Sequence, residues 1–193
     1  MTIVPIWSAI ILAAGQSSRF GGGKLRAVYK EKLVLDWVLD TALSCPVAEI
    51  VVVCGGDPEI ALKLPINGRV KGIWAKNHAL GMGASLSEGI SALDPKSRGV
   101  LVFLGDMPRV QPGLATDLIA AIGQGALAAA PVFAGRRGHP VLIASALFEQ
   151  IRHLRGDQGA GKILDGRGER LALIHAPDDG CLFDIDRPGD LLA

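Results

Sequence analysis

The stretch Ile10-Ile11-Leu12-Ala13-Ala14-Gly15-Gln16-Ser17-Ser18-Arg19-Phe20-Gly21-Gly22-Gly23-Lys24 runs apolar, strand-forming residues straight into a glycine-rich turn that carries two cations. The apolar half predicts a buried strand. In the turn, glycines permit positive φ and let backbone N–H groups approach an anion, while Arg19 and Lys24 add charge that peptide dipoles do not supply. That is the build of a phosphate cradle; the plainer alternative is a flexible surface loop, because glycine clusters also punctuate ordinary turns. Neither common phosphate motif fits. A dinucleotide fingerprint needs G-x-G-x-x-G, and a Walker loop needs Ser or Thr after Gly-Lys, where Leu25 stands.

Beyond this stretch, apolar runs rich in β-branched residues recur at 8–13, 49–53, 70–74 and 99–104, each followed by glycine or a polar turn. Helical spacing fills the intervals at 33–43, 58–62, 83–93 and 113–122. Near-continuous apolar strands joined by helical crossovers predict an α/β fold, a three-layer, doubly wound, mainly parallel sheet with ligands beyond the carboxyl ends of its strands. Residues 15–24, 54–57 (Gly55 among them) and 105–108 all fall at that edge. Farther on, 128–134 and 139–144 flank Gly135-Arg136-Arg137-Gly138 and predict paired strands around a basic turn, which makes the sheet mixed. Helical segments are expected at 145–154 and 159–164, short strands at 170–175 and 181–185, and a last helical turn from Pro188.

A length of 193 residues fits a single domain, 1–193. With 20 basic against 19 acidic side chains there is no excess charge for nucleic-acid backbone or anionic lipid, so any anion site is local. Cys45, Cys54 and Cys181 are odd in number and widely spaced, which predicts neither disulfides nor a zinc site and suits a reducing cytoplasm. The apolar start lacks a preceding cation and is too short to span a bilayer, so it is expected to be a strand with no membrane role.

Leu104-Gly105-Asp106-Met107-Pro108 places a carboxylate just past a buried strand. Magnesium takes one or two carboxylates and completes its shell with phosphate and water, so Asp106 suffices if a nucleotide supplies the rest; the alternative is a turn-capping aspartate. Asp184 and Asp186 lie on alternate residues, which in extended chain point to one side. Either completes a metal site with Asp106, or Asp186 caps the helical turn at Pro188. Gly81-Met82-Gly83-Ala84-Ser85 opens a helix with small residues, leaving N–H groups and the Ser85 hydroxyl for an anion or sugar, or simply allowing close helix packing. Two polar loops follow, Gly135 to His139 and Gly156-Asp157-Gln158-Gly159; Arg136, Arg137 and His139 of the first either grip a second, anionic substrate or are solvated turn residues. His78, His153 and His175 show no ligand spacing and read as surface or packing residues, and no serine or cysteine nucleophile stands out.

In order, LAAGQSSRFGGGK, NHALGMGASL, LGDMP, GRRGHPVL, GDQGAGKIL and FDIDRPGDL resemble the MobA-like nucleotidyltransferases, most closely the molybdenum cofactor cytidylyltransferases of MocA type, over about residues 10–191. The resemblance implies a Rossmann-like nucleotide-diphospho-sugar transferase fold and Mg²⁺-dependent transfer of CMP from CTP to the terminal phosphate of molybdopterin cofactor, with release of pyrophosphate. It implies that Leu12, Ala13, Ala14 and Gly15, with Gly55, Gly83 and Ser85, lie about the nucleoside. Arg19 and Lys24 would meet the triphosphate, and Asp106 with Asp184 or Asp186 the magnesium. Arg137, His139, Asp157 and Gln158 would meet the acceptor. The family's guanylyl branch usually has Leu-Ala-Gly-Gly where Leu12-Ala13-Ala14-Gly15 stands, so the implied nucleotide is CTP. A recipient molybdoenzyme or its chaperone is an implied transient partner. Other readings are a sugar- or alditol-phosphate acceptor and a non-catalytic cofactor chaperone. A nicotinamide oxidoreductase lacks support, since G-x-G-x-x-G and its downstream acidic residue are missing.

Overall fold

The computed structural model describes residues 6–65, 68–156 and 159–193. In chain order the elements are β1 (Trp7–Ala13), β2 (Val28–Tyr29), β3 (Lys32–Leu33), α1 (Val34–Ser44), β4 (Glu49–Cys54), α2 (Pro58–Lys63), β5 (Val70–Trp74) and α3 (Met82–Ser91). They continue with β6 (Gly99–Leu104), α4 (Leu114–Gly123), β7 (Ala128–Phe133), β8 (Arg136–Arg137), β9 (Val141–Ala144), α5 (Phe148–Arg152), α6 (Gly161–Asp165) and β10 (Leu171–His175).

The opening apolar run becomes β1, which lies inside the sheet with β4 on one side and β6 on the other, both parallel to it. Its alternation splits the core into two layers. Ala9, Ile11 and Ala13 pack with Val38 and Leu39 of α1 and Leu118 of α4. Ile10 packs on the opposite face with Leu86 and Ile90 of α3 and Ile151 of α5. A strand covered on both faces has no use for polar residues, which is why β1 reads as a continuous apolar run rather than an alternating one. The helices show the matching stripe: in α1 the buried residues are Val34, Leu35, Val38, Leu39 and Ala42. Pro58 begins α2 directly after Asp57, whose side chain accepts from the Glu59 N–H as an N-cap.

Beyond β4 the sheet ends in parallel β5, and beyond β6 it turns antiparallel through β9 and β7 before β10 joins β7 in parallel. The expected pairing of 128–134 with 139–144 is present, with Ala128 opposite Ile143; the basic turn adds the short β8, folded back on β7. One strand expectation fails. Residues 181–185 form no strand, because Asp178 accepts from the Gly180 N–H and winds Asp179–Cys181 into a 3₁₀ turn. The chain then runs without regular structure to 186 and is held at Ile185, whose N–H donates to the Asp106 carbonyl at 3.0 Å. The β2–β3 ribbon, unanticipated, turns at Lys30 and Glu31, with φ of 45° and 72°.

Because the chain leaves β1 toward β4 while β6 flanks its other edge, the strand order reverses at β1. A crevice therefore opens beyond the carboxyl ends of β1 and β6. Among the described residues no helix is long and apolar enough to cross a membrane.

Candidate active site

A cleft of about 330 Å³ occupies that crevice, and Leu12, Ala13, Ala14, Gly15, Ser85 and Asp106 all line it. The loop that leaves β1 is shaped by its glycines: Gly21, Gly22 and Gly23 sit at φ 91°, 95° and 65°, a region closed to most side chains. Phe20 and Gly22 donate their N–H groups to the Ser17 carbonyl at 3.1 and 3.0 Å, closing a tight turn. The chain then enters a 3₁₀ turn, Lys24–Arg26, that tucks Lys24 inward until only 9% of it is exposed.

A nearly buried ammonium is costly unless paired. Lys24 is paired twice, its Nζ donating to Asp106 Oδ2 at 2.7 Å and to Asp186 Oδ1 at 3.3 Å. Arg19 donates to the other Asp186 oxygen at 2.9 Å. Residues from three distant parts of the chain thus meet in one charge cluster. Burial works against the Lys24 ammonium, yet the hydrogen bonds and charges of Asp106 and Asp186 outweigh it and hold its pKa above the ordinary lysine value. Partial burial opposes ionisation of Asp186 too, but Lys24 and Arg19 hold its carboxyl below the usual carboxylate range. Asp186 is not the cap of the last helical turn. Arg187 holds the N-cap position, and Asp190, three residues on, reaches back with Oδ2 to accept from the N–H groups of Asp186 and Arg187 at 2.9 and 2.7 Å.

Asp184 is not paired with Lys24 and behaves differently. Partial burial of its carboxyl, then the charges of Asp186 and Asp106, push its pKa up. A carboxyl whose pKa is raised by folding costs stability once it is charged. Asp184→Asn should therefore stabilise the fold at neutral pH by about 0.5 kcal/mol, a small gain because the group is largely solvated. The gain should vanish below the ordinary carboxylate range, where Asp184 is protonated in both states. Thermal melts at pH 7 and pH 3 check it, and a variant that melts lower than the parent at pH 7 would refute it.

Among the described residues no group of three or more His, Cys, Asp or Glu side chains is gathered tightly enough to hold a metal ion unaided. Asp106, Asp184 and Asp186 are therefore not a complete metal cage. Magnesium does not need one when phosphate oxygens and water fill most of its octahedron, and two carboxylates already sharing one cation suit it.

Other expected residues land differently. Gly55 is buried and does not line the cleft; a Cβ there would lie 2.7 Å from His78 Cγ and 2.9 Å from Ala14 Cβ. Gly83 does not offer its N–H to a ligand, since it donates to the Gly156 carbonyl at 2.9 Å, whereas the Ser85 hydroxyl makes only a 3.5 Å contact with the Gly81 carbonyl. His78, read from sequence as a packing or surface residue, lines the cleft, and its buried Nδ1 has no hydrogen-bond partner among the described residues. The only sequence signal for it was its place in the loop after β5, at the same carboxyl edge. Gly55→Ala should drive His78 against its neighbours and weaken nucleotide binding roughly tenfold, the lower range of overpacking costs. Calorimetric titration with CTP measures this, and unchanged affinity would show that His78 has room to yield.

A second cavity of about 240 Å³ adjoins the first and shares Leu12, Met82 and Leu104 with it. Arg137 and His139 both line it. Arg137 donates to Asp165 Oδ1 at 2.6 Å. The ring of His139 lies with Nδ1 at 3.3 Å from the Val102 carbonyl, which can only accept, so Nδ1 carries the proton and the neutral ring leaves Nε2 as an acceptor. Burial pushes its pKa below the ordinary histidine value despite that bond. An anion in this cavity would thus be met by Arg137 rather than by a histidine cation. Asp157 and Gln158 lie outside the described residues.

Residues 9–172 match the MobA-like NTP transferase domain. The chain belongs to that family. The purine catabolism protein PucB of Bacillus subtilis (strain 168) is 29% identical to this MobA-like chain over 195 residues, covering 95% of it and 93% of PucB. The structure of the Mycobacterium tuberculosis Rv0371c homolog from Mycobacterium sp. strain JC1 superposes with a TM-score of 0.84 at 27% identity, over 95% of this chain and 92% of that one. Molybdopterin-guanine dinucleotide biosynthesis protein A from Archaeoglobus fulgidus shares the fold, with a TM-score of 0.65 at 22% identity over 96% and 95% of the two chains. The family assignment makes the chain a nucleotidyltransferase by class, with a nucleoside triphosphate as its substrate.

Proposed function

We propose that this MobA-like protein moves CMP from CTP to the terminal phosphate of molybdopterin cofactor, releases pyrophosphate, and passes the product by direct contact to a molybdoenzyme or its chaperone. One observation carries the reading: Lys24, Asp106, Asp186 and Arg19 form a single charge cluster at the mouth of the β1–β6 crevice. The choice of CMP is supported by Leu12-Ala13-Ala14-Gly15 along one wall of the cleft. The choice of acceptor is supported by the order of sequence motifs and by a fold shared with a protein named for molybdopterin-guanine dinucleotide biosynthesis.

The nucleoside occupies the 330 Å³ cleft and the acceptor the adjoining cavity, so the two reactants meet across Leu12, Leu104 and Met82. An acceptor phosphate oxygen attacks the α-phosphorus, the bond from that phosphorus to the bridging oxygen breaks, and pyrophosphate departs with the electron pair. A phosphate monoester has its second pKa near about 6, so the nucleophile is already ionised and needs no general base. The protein's work is placement and charge. Lys24 and Arg19 offset the charge that grows on the leaving group. Asp106 with Asp186 would hold magnesium, which when bound neutralises phosphate oxygens, and Asp184 stands beside them. Arg137 steadies the acceptor phosphate, and the neutral His139 ring shapes the wall beside it.

The test supplies purified protein with molybdopterin cofactor and CTP, GTP or ATP in turn, and follows pyrophosphate and the mass of the product. CTP should turn over fastest and give the cytidine dinucleotide of the cofactor. Turnover with a sugar or alditol phosphate in place of molybdopterin would overturn the acceptor. Cofactor binding without pyrophosphate release from any nucleotide would overturn the enzyme and leave a cofactor carrier.

A further inference from the structure

The Lys24 ammonium stands where a cation shared by Asp106 and Asp186 has to stand. Its distances to the two carboxylates are 2.7 and 3.3 Å, and its side chain is only 11% exposed. Beside it lies a further hollow of about 240 Å³, bounded by Ser17, Ser18, Arg19, Phe20, Lys24 and Asp186. This hollow is continuous in sequence with the nucleotide cleft through Ser17, which lines both. Lys24 thus pairs with Asp106 and Asp186 and also lines a space that Arg19, the two serines and Asp186 itself bound. A lysine head group moves on a flexible four-carbon stem, so turning from the carboxylates into that space needs rotamer changes and no rearrangement of the sheet.

We propose that Lys24 is the resident counter-ion of the Asp106–Asp186 pair in the nucleotide-free protein, and that it and a divalent cation exclude one another there until a triphosphate draws the lysine away. The proposal rests on the reading above, in which these carboxylates hold the metal. The physical ground is charge balance. A dication inserted beside the ammonium, with nothing else added, sets like charges against each other in a poorly solvated place. A bound triphosphate gives the lysine another anion to pair with and frees the carboxylates. Nucleotide and metal then favour each other's binding by the same factor, as linkage requires. The lysine serves as a lock in the empty site and as a phosphate ligand in the loaded one.

The experiment titrates Mn²⁺ alone, without nucleotide, into the full chain and reads the free ion by electron paramagnetic resonance. Wild type should bind weakly. Lys24→Gln and Lys24→Met should bind roughly 5- to 150-fold more tightly, the usual span of such couplings. Adding Asp106→Asn to either should abolish the gain. In thermal melts both Lys24 variants should be less stable than wild type in chelator and should recover on adding Mn²⁺. Equal Mn²⁺ affinity in wild type and the Lys24 variants, lost in all with Asp106→Asn, overturns the exclusion and leaves the metal site standing. Mn²⁺ binding that ignores Asp106→Asn overturns the metal site itself, and this proposal with it. Micromolar binding by the nucleotide-free wild type, lost with Asp106→Asn, overturns the exclusion even if neither Lys24 variant folds.

Discussion

Asp106→Ala should lower turnover roughly 10²- to 10³-fold, the loss seen when one electrostatic element of a transition-state site is removed, while CTP affinity falls far less. The asymmetry follows from where Asp106 sits. It lines the cleft past the end of β6, bound to Lys24 and with its carbonyl tied to Ile185, so under the proposed function it would govern the charge at the reacting phosphorus rather than the fit of the nucleoside. Truncation to alanine also strips a nearly buried ammonium of its closer partner, so a loosened fold adds to the loss. Asp106→Asn separates the two effects: it keeps the shape and a hydrogen-bond acceptor while removing the charge. Steady-state kinetics paired with equilibrium CTP binding should show both variants crippled in kcat. Turnover within a few-fold of wild type in Asp106→Asn would remove Asp106 from the chemistry.

Gly138→Ala should be the most damaging single methyl group in the chain. A Cβ at Gly138 would fall inside the van der Waals envelope of the Cys181 carbonyl and close to its sulfur, atoms of a buried segment that cannot step aside. Overpacking a rigid site costs about 1–3 kcal/mol and sometimes more; at the upper end, a protein of this size loses about 6–12 °C of melting temperature. The chemistry should suffer as well, because the same Cys181 carbonyl accepts from the His139 N–H at 2.9 Å and anchors the tail that delivers Asp184 and Asp186. The expected signature is a lower melting temperature together with weakened Mn²⁺ and nucleotide binding. A variant that melts like wild type would show that the tail can shift without loss.

The α/β architecture was legible from the sequence because its strands are covered on both faces and so appear as unbroken apolar runs. β1, β4, β5 and β6 fall within a residue or so of their expected limits. The loop after β1 and the aspartate after β6 were legible for the related reason that a doubly wound sheet sends its loops to one edge. Three things were not legible. The β2–β3 ribbon turns on Lys30 and Glu31 at positive φ, where the usual Asn-Gly signal of such a turn is missing. Residues 181–185 carry a strand-like pattern, but the cap supplied by Asp178 bends them before they can pair. His78 shows no ligand spacing to His153 or His175, and the close approach permitted by Gly55 brings it to the cleft. Sequence likewise offered Asp186 two roles, and it was the tertiary meeting with Lys24 and Arg19, across more than a hundred residues, that set its partners.

The docking of the tail beside Asp106 has a consequence for biosynthesis. Among the described residues all the strands of the sheet lie before residue 176, whereas Asp186 comes later, so a nascent chain carries these strands out of the ribosome while the charge cluster is still incomplete. Until the segment that holds Asp186 emerges, Lys24 lacks its second carboxylate. The charge cluster is therefore completed only after the scaffold that holds it has been made.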